Sequence, residues 1–335
     1  MATSVRATSD GTPGSSRNAP NSQHGGDPGP PRANWRVRLF RLDTKASPYV
    51  YIAPFFLCFA AFGLFPLIYT GWLSFHEVQL GTHATWVGAR NYKELWDNTF
   101  FWGALRNTFT MGVISTVPQL LFALGLAHLL NYKMRARGFF RVAILAPYAT
   151  SIAAATLVFI QIFNPDYGMM NQVLGHFGAG HIQWNNSKWP AQIAISTIVT
   201  WRWTGYNALI YLAAMQAVPG DLYEAASLDG ASRWRQFISV TIPSIRPTIF
   251  FTIIVSTIGA TQLFGEPLMF GGSIGYSGGS DHQYQTLSLY MYDKGWQTGE
   301  LGQASAVAWV MLLILLLIGA VQMLVARANR RKLGG

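Results

Sequence analysis

The chain has 335 residues, of which 50% are hydrophobic and only 11% are charged. Soluble domains carry about 25% charged residues, so this composition excludes an ordinary soluble domain and indicates a membrane protein. The formal net charge is +10, but the basic residues lie between apolar runs and form no single patch, which predicts membrane topology and no nucleic-acid partner.

The first 46 residues precede every long apolar run. Residues 1–33 are mostly Ser, Gly, Pro, Asn and Arg, and such a segment buries too little apolar surface to offset the entropy of ordering. We therefore predict a disordered tail over 1–33. Residues 34–46 mix aromatic and aliphatic side chains with arginines, which predicts a short helix on the inner membrane surface. The alternative for this segment is an unstructured basic lead-in.

Six apolar runs follow, each near or above the ~20 residues that an α-helix needs to cross a bilayer. The fourth run contains Arg202, whereas the other five contain no Asp, Glu, Lys or Arg. Pro147 is one of three prolines placed to kink a span. We predict an all-α membrane protein with a six-helix transmembrane domain over 47–328 and a basic tail over 329–335. The runs cover 49–74, 107–130, 142–163, 192–217, 247–265 and 304–326.

Lysine and arginine are divided unevenly between the two sides of the predicted spans. Eighteen lie in the N-terminal segment, the two connections on the same side and the C-terminal tail, whereas four lie in the connections on the opposite side. Connections rich in Lys and Arg stay in the cytoplasm. Both termini and the 221–243 segment are therefore predicted to be cytoplasmic.

The 221–243 segment separates the fourth and fifth apolar runs and reads DLYEAASLDGASRWRQFISVTIP. It is too polar to cross a bilayer. Its residues predict a helix opened by Glu224, a break at Gly230 and a second short helix over 233–238. Pro243 is predicted to stop the chain before the next apolar run.

The spacing within this segment carries a family resemblance. It resembles the EAA loop of ABC importer permeases, which usually reads E-A-A-x3-G-x9-I-x-L-P. Val240 and Ile242 replace the usual Ile and Leu. The alternative is an amphipathic cytoplasmic loop with no docking role. The matching residues are Glu224-Ala225-Ala226, Gly230 and, after nine intervening residues, Val240-Thr241-Ile242-Pro243.

The resemblance covers about residues 46–330. It is to the maltose-type carbohydrate permeases, the half related to the larger maltose pore subunit without its large external insertion, and to disaccharide permeases. One stretch departs, because Gly271-Gly272-Ser273 precedes a long Gly/Ser stretch before Thr286, where the family often has a short G-G-P-x3-T turn. The shape of the outer loop 271–286 therefore does not follow from the resemblance. Other matching stretches are Asn91-Tyr92, Asn107-Thr108, residues 137–141 with Pro147, residues 217–223 and residues 302–306.

The resemblance implies a type I ABC importer (MetI-like) permease core in the bacterial cell membrane. The implied partners are a second homologous permease subunit, a dimer of ABC ATPases on the cytoplasmic face and an external solute-binding protein or lipoprotein. The chain contains no G-x-x-x-x-G-K-[ST] phosphate loop, so ATP and Mg are expected in the ATPase. Since Cys58 is the single cysteine, no cysteine cluster for a metal exists, and we predict no cofactor, metal or catalytic residue in this chain.

Six residues of the 221–243 segment are predicted to contact the ATPase. Glu224 is expected near the helix start, where the helix dipole favours a carboxylate and where it would pair with an arginine of the partner. Gly230 is expected to permit a sharp turn. The alternatives are a helix-capping acid for Glu224 and a plain C-cap for Gly230. The set is Glu224, Ala225, Ala226, Asp229, Gly230 and Pro243.

A second set of residues is predicted to line a solute path. A cation inside an apolar run usually faces protein or water, and the aromatic and hydrogen-bonding side chains near Arg202 suit a sugar. By resemblance, Gly205 matches a family glycine, and Thr257, Ile258 and Thr261 fall at cavity-lining places. The alternative is helix packing, with Arg202 at an interface and Thr257 bonded to its own backbone. The set is Trp201, Arg202, Trp203, Gly205, Tyr206, Asn207, Thr257, Ile258, Thr261, Gln262 and Glu266.

The predicted function is that of the permease subunit of an ATP-driven, binding-protein-dependent importer of a di- or oligosaccharide, such as a cellobiose-like or trehalose-like sugar. The same machine for glycerol phosphate is an alternative, but a phosphate would need several cations and only Arg202 is evident. A self-sufficient secondary transporter is a weaker alternative, since Glu266 is its only candidate coupling acid. No catalytic constellation is present, so the chain is predicted not to be an enzyme.

Overall fold

The computed structural model describes residues 47, 49–79, 81, 83–132, 135–178 and 180–333, and the backbone alone over 273–275 and 328–333. The predicted tail 1–33 and interfacial segment 34–46 lie outside the described residues. The chain divides into two compact units, with the boundary between Gly63 and Leu64. The described part of the first unit is helical and exposes its large side chains, Phe55 and Phe59 among them. A helix that is apolar on all sides suits a lipid environment.

The second unit is built from helices and one short hairpin. The hairpin pairs its two strands antiparallel, with His76 opposite Trp86. The elements are α1 (Phe65–Leu73), β1 (His76–Glu77), β2 (Thr85–Trp86), α2 (Arg90–Asp97), α3 (Thr99–Asn131), α4 (Arg137–Ala149), α5 (Ile152–Ile162), α6 (Met169–His176), α7 (Lys188–Gln216), α8 (Gly220–Leu228), α9 (Arg233–Gln236), a π-helical turn (Phe237–Thr241), α10 (Ile242–Thr261), α11 (Gly265–Phe270), a 3-10 helix (Gly272–Ser277), α12 (Leu287–Tyr292), a π-helical turn (Asp293–Gln297) and α13 (Leu301–Leu333).

Four helical segments among the described residues are long and apolar enough to cross a membrane. The bent pair α4 and α5 adds a fifth if the two helices together form one span. The remaining predicted run, 192–217, lies in α7, which has 29 residues. This helix has the length of a span, but polar residues such as Gln192, Arg202 and Asn207 lower its apolarity. Each predicted run thus lies largely in helix, and the all-α membrane fold is confirmed. The four segments are Tyr49–Leu73, Thr99–Asn131, Arg233–Thr261 and Leu301–Arg327.

The predicted third run, 142–163, is broken in the middle. Helices α4 and α5 meet at an angle of 91°, because Thr150 and Ser151 have extended ψ angles of 138° and 139°. Pro147 lies inside the last turn of α4 and donates no backbone hydrogen bond, which weakens the helix just before the break. The bend leaves the carbonyl of Thr150 outside a regular helix, where a side chain can reach it.

Helices α3 and α7 share the most extensive contact of the molecule. Their buried residues include Met111 and Ala123 of α3 and Ile195 and Tyr211 of α7. On another side of α7, α4 approaches so closely that a Cβ on Gly205 would overlap the carbonyl oxygen of Ile144. Helix α7 is therefore packed between α3 and α4, with most of its residues buried.

The connection between α10 and α13 is folded onto the start of α3 and α7. Asn107 donates to the carbonyl oxygens of His282 at 3.0 Å and Gln285 at 3.2 Å. Gln192 donates to the Asn107 side-chain oxygen at 3.0 Å and to the Gln283 carbonyl at 2.8 Å. These buried amides satisfy backbone groups that a loop would otherwise leave unpaired. They hold the end of the loop 271–286, whose shape does not follow from the sequence.

The 221–243 segment differs in two respects from its prediction. Asp221 occupies the first turn of α8 and Glu224 lies in the second turn, so the dipole of the helix start acts on Asp221. Pro243 does not stop the chain, because α9, the π-helical turn and α10 form continuous helix from Arg233 to Thr261. The wide π turn, closed by the bond from the Ile242 N–H to the Phe237 carbonyl, accommodates a proline that donates no bond.

Candidate functional site

A cavity of about 430 Å³ lies between α3, α5, α7, α10 and the α10–α11 connection. Its α7 wall presents Arg202, Trp203, Tyr206 and Asn207. The spacing of these residues puts them on one face of the helix over about one turn. The polar face of α7 thus lines an internal space.

Two aromatic side chains, Trp203 and Tyr206, form part of this wall. The rings of Trp203 and Tyr206 lie 5.8 Å apart in an edge-to-face arrangement. Tyr148 of α4 stacks on Tyr206 at 4.8 Å and meets Trp203 at 5.2 Å. Such contacts restrict the rings to one arrangement in the cavity wall.

A buried ion pair joins α7 to α11 at the cavity. Arg202 Nη1 lies 2.8 Å from Glu266 Oε1, and the two side chains are 9% and 6% exposed. Arg202 Nη2 lies 3.4 Å from the Thr150 carbonyl oxygen at the bend between α4 and α5. The arginine therefore connects three elements around one point. A charge pair in this setting is tolerated only when its geometry and hydrogen bonds compensate for lost hydration.

The opposite wall consists of α3 and α10. Gln119 Nε2 donates to Ser256 Oγ at 3.3 Å and so bridges the two helices. Ser115 and Thr116 also line this wall. The sequence interpretation missed these residues, although polar side chains four residues apart in an apolar run, Ser115 and Gln119, are a signal for a helix face turned toward protein or a cavity.

The predicted path residues divide into groups. Arg202, Trp203, Tyr206, Asn207, Gln262 and Glu266 meet at the cavity. Thr257 and Thr261 line a different groove, between α3 and α10, where Thr257 Oγ1 donates to the Ile253 carbonyl at 2.7 Å.

Three predicted path residues lie away from the cavity. Trp201 is exposed and packs against Phe159 of α5 at 5.4 Å. Ile258 is exposed on α10. Gly205 is buried in the contact with α4, so its missing side chain serves helix packing.

The 221–243 segment presents a second candidate surface. Glu224, Ala225, Asp229 and Gly230 are exposed, whereas Ala226 and Pro243 are half-buried. Among the described residues the Glu224 carboxylate has no hydrogen-bond or ion-pair partner. Leu228, one turn further along α8, is 90% exposed, and Trp234 of α9 is 65% exposed. An apolar patch next to an unpaired carboxylate is typical of a protein contact surface.

Gly230 ends α8 in a specific hydrogen-bonded turn. Its φ of +74° lies in the left-handed region that favours glycine. The N–H of Ala231 bonds to the Ala226 carbonyl at 2.9 Å and that of Gly230 to Ser227 at 3.0 Å, which is the Schellman pattern. Open space surrounds its Cα, so the requirement for glycine is one of backbone conformation.

Side chains attach the segment to the helices that form the cavity. Tyr223 of α8 bonds to Thr241 at 2.9 Å, and the Phe237 ring lies 4.1 Å from the His128 ring of α3. The Arg233 guanidinium lies 5.3 Å from the Tyr132 ring just beyond α3. His128 is nine residues, or about 13 Å of helix, from Gln119 in the cavity wall. The two candidate surfaces are therefore connected by the same helices.

No group of three or more His, Cys, Asp or Glu side chains suited to a metal occurs within the described residues. In the α12–α13 connection, burial raises the pKa of Asp293 above its ordinary value, with partial compensation from His282 and Lys294.

Comparison with known proteins agrees with this architecture. Residues 119–335 match the family described as binding-protein-dependent transport system inner membrane component. The chain is 34% identical to the arabinooligosaccharides transport system permease protein AraP of Halalkalibacterium halodurans, over 90% of this chain and 94% of that protein. It is also 34% identical to the lactose transport system permease protein LacF of Rhizobium radiobacter, over 84% of this chain and 94% of that protein.

A solved structure shares the fold. It is a bacterial alginate ABC transporter in complex with an alginate pentasaccharide-bound periplasmic protein, and one of its chains superposes with a TM-score of 0.73 at 20% identity. The match covers 87% of this chain and 96% of that chain. On the strength of the family match and of relatives similar over most of their length, the chain belongs to the inner membrane components of binding-protein-dependent transport systems.

Proposed function

We propose that the chain is the transmembrane permease subunit of an ATP-driven, binding-protein-dependent carbohydrate importer, with a di- or oligosaccharide as its solute. The observation that carries this proposal is the composition of the cavity, in which Trp203 and Tyr206 lie beside the amides of Asn207 and Gln119. Aromatic faces pack against the apolar faces of sugar rings, and amides pair with sugar hydroxyls. The naming of two relatives for arabinooligosaccharides and lactose supports the same solute class.

The chain would form half of the translocation path. A second, homologous permease would supply the other half, and the long apolar groove between α3 and α10 supports this arrangement. That groove, of about 420 Å³, is lined mainly by side chains such as Val113, Val117 and Leu121, which are exposed in the single chain. In the membrane such a surface contacts either lipid or a partner helix.

The ATPase dimer would dock on the exposed surface around Glu224 and Leu228. ATP and Mg would be bound by that dimer. The positive-inside distribution of Lys and Arg supports a cytoplasmic location for this surface and for both termini. A solute-binding protein or lipoprotein would deliver the sugar on the opposite face of a bacterial cell membrane.

Transmission to the cavity would use continuous helix. From Arg233 to Thr261 the backbone contains no non-helical residue, and Ser256 in the cavity wall lies about 22 Å along α10 from Thr241. A shift of the docked segment would therefore move α10 as one body and change the shape of the cavity.

Uptake of labelled neutral disaccharides and oligosaccharides by cells with and without the gene tests the proposal. We expect deletion to abolish uptake of at least one of these sugars. Trp203→Ala and Asn207→Ala are each expected to change the preference among sugars while the subunits still assemble. Unchanged uptake of every carbohydrate after deletion, or unchanged kinetics in both variants, would contradict it.

A further inference from the structure

We propose that Glu266 is a specificity-determining residue that cancels the charge of Arg202, so that the cavity accepts uncharged carbohydrates and disfavours anionic sugars such as uronates and sugar phosphates. This inference rests on the proposed function, because it defines the class of solute within it. It concerns the charge of the cavity, a property that can be measured without transport.

Two described side chains at the cavity carry acidic or basic groups. Among the described residues that line it, Arg202 and Glu266 are the two with a basic or an acidic side chain. The others are apolar side chains or neutral hydrogen-bonding groups such as Gln119, Asn207 and Gln262. The net charge of the lining therefore depends on whether the arginine and the carboxylate neutralise each other.

The geometry supports close neutralisation. The 2.8 Å separation of Arg202 Nη1 and Glu266 Oε1 is that of a charge-assisted hydrogen bond, and both side chains are more than nine-tenths buried. Arginine keeps its proton in proteins, so the cation persists whether or not it is paired. Without the carboxylate, the guanidinium would retain the Thr150 carbonyl as its one polar contact among those described.

The backbone holds Glu266 in place for this role. The residue lies in the first turn of α11. At the preceding position, a Cβ on Gly265 would lie 3.0 Å from the Ile152 side chain, so α11 sits tightly on α5. The carboxylate is thus presented to Arg202 by two packed helices, and a fixed partner neutralises a cation more completely than a mobile one.

Charged thiol reagents measure the electrostatic potential directly. The background is the full chain with Cys58, its single cysteine, replaced by Ser, purified with its companion subunits in nanodiscs. Ser256→Cys places a thiol in the cavity wall, and Ser187→Cys places one on an exposed surface as the control. The readout is the ratio of reaction rates with an anionic and a cationic methanethiosulfonate reagent of similar size.

With the ion pair intact, the ratio at the cavity thiol is expected to stay within about threefold of the ratio for a small free thiol. Glu266→Gln is expected to raise this ratio about tenfold or more, because the uncompensated Arg202 cation lines the same cavity and attracts the anionic reagent. Arg202→Gln combined with Glu266→Gln is expected to restore it. The ratio at the Ser187→Cys control should not respond.

Two results would overturn the inference. One is a cavity ratio already more than tenfold above the free-thiol value with both residues intact, and this measurement needs no variant of the pair. The other is an unchanged ratio in folded Glu266→Gln protein. Neither result depends on sugar uptake, so the charge rule and the proposed function can fail separately.

Discussion

Arg202 and Glu266 are costly residues to place in a membrane helix bundle. Each loses its hydration on burial, and only the pairing and the contact with the Thr150 carbonyl offset that loss. The energetic consequence is strong coupling, because removal of one member leaves the other charge buried alone. The pair is therefore expected to behave as a unit in stability measurements.

Replacement of either member tests this coupling. Arg202→Met or Glu266→Met alone is expected to lower the free energy of unfolding by about 3–5 kcal/mol, whereas the double variant should lose much less. Chemical or thermal unfolding of the detergent-solubilised protein measures the stability of the wild type, the two single variants and the double variant, which together form a double-mutant cycle. Losses that simply add would show that the two side chains do not interact.

Gly205 provides a second test at the scale of one residue. Because a Cβ there would overlap the carbonyl oxygen of Ile144, Gly205→Ala is expected to push α4 away from α7 and to cost about 1–3 kcal/mol. Gly125→Ala is the matched control, since open space surrounds Gly125 in α3. Equal thermal stability of the two variants would contradict the close contact.

The identities of residues in the sequence indicated several of the side chains at the cavity but not the contacts that these side chains make with one another. The charge of Arg202 within an apolar run pointed to a cavity, and six of the predicted residues do meet there. Sequence alone could not show that Gly205 packs against α4 and does not line the cavity, because its role depends on where α4 crosses α7. Nor did it indicate that Arg202 pairs with Glu266, because that contact depends on the packing of α11 against α5.

At the scale of elements, the end of α8 is the most constrained turn in the 221–243 segment. Gly230→Ala is expected to strain the left-handed backbone by about 1–2 kcal/mol and to displace Leu228 and Glu224. We expect reduced sugar uptake with normal ligand capture by the external protein. Gly220→Ala, at a position with open space and no positive φ, should transport normally. Equal uptake by both variants would argue against a docking role for this turn.

The α12–α13 connection makes a prediction about pH. Burial raises the pKa of Asp293 in the folded protein, so the folded state holds this proton more tightly than the unfolded state. The resulting stability is present below the ordinary pKa and is lost as pH rises through the raised value. Asp293→Asn is therefore expected to raise the Tm at pH 7, with a gain that shrinks toward about pH 4.

Asp166→Asn, at an exposed position, is the control for this experiment. It should show no comparable gain. A Tm for Asp293→Asn that is lower than wild type at pH 7, or a gain that does not depend on pH, would contradict the burial of a partly desolvated carboxylate.

Helices were predicted well where hydropathy determines them. They were predicted poorly where the local backbone geometry departs from a regular α-helix. The six apolar runs lie largely in helices, and Pro147 predicts a kink in the third, but the break comes three residues later, at Thr150. Pro243 was read as a stop because proline ends most helices, yet a π-helical turn absorbs it. The shape of the loop 271–286 depends on hydrogen bonds from the side-chain amides of Asn107 and Gln192. Because these residues are distant in sequence, the residues of the loop alone could not predict its shape.

At the scale of the whole molecule, two surfaces are joined by helices that run between them. The exposed 221–243 segment continues into α10, and its aromatic and cationic side chains contact the end of α3. Both helices then form one wall of the cavity through Gln119 and Ser256. This arrangement would allow a movement of the 221–243 segment to change the shape of the cavity.

The most direct measurement is accumulation of a labelled neutral oligosaccharide in proteoliposomes that contain this chain, its companion permease, the ATPase and the solute-binding protein. We predict accumulation only when ATP is supplied on the face that carries the 221–243 segment, and none when the ATPase is omitted. Accumulation without the ATPase, driven by an ion gradient, would contradict the account and favour a secondary transporter.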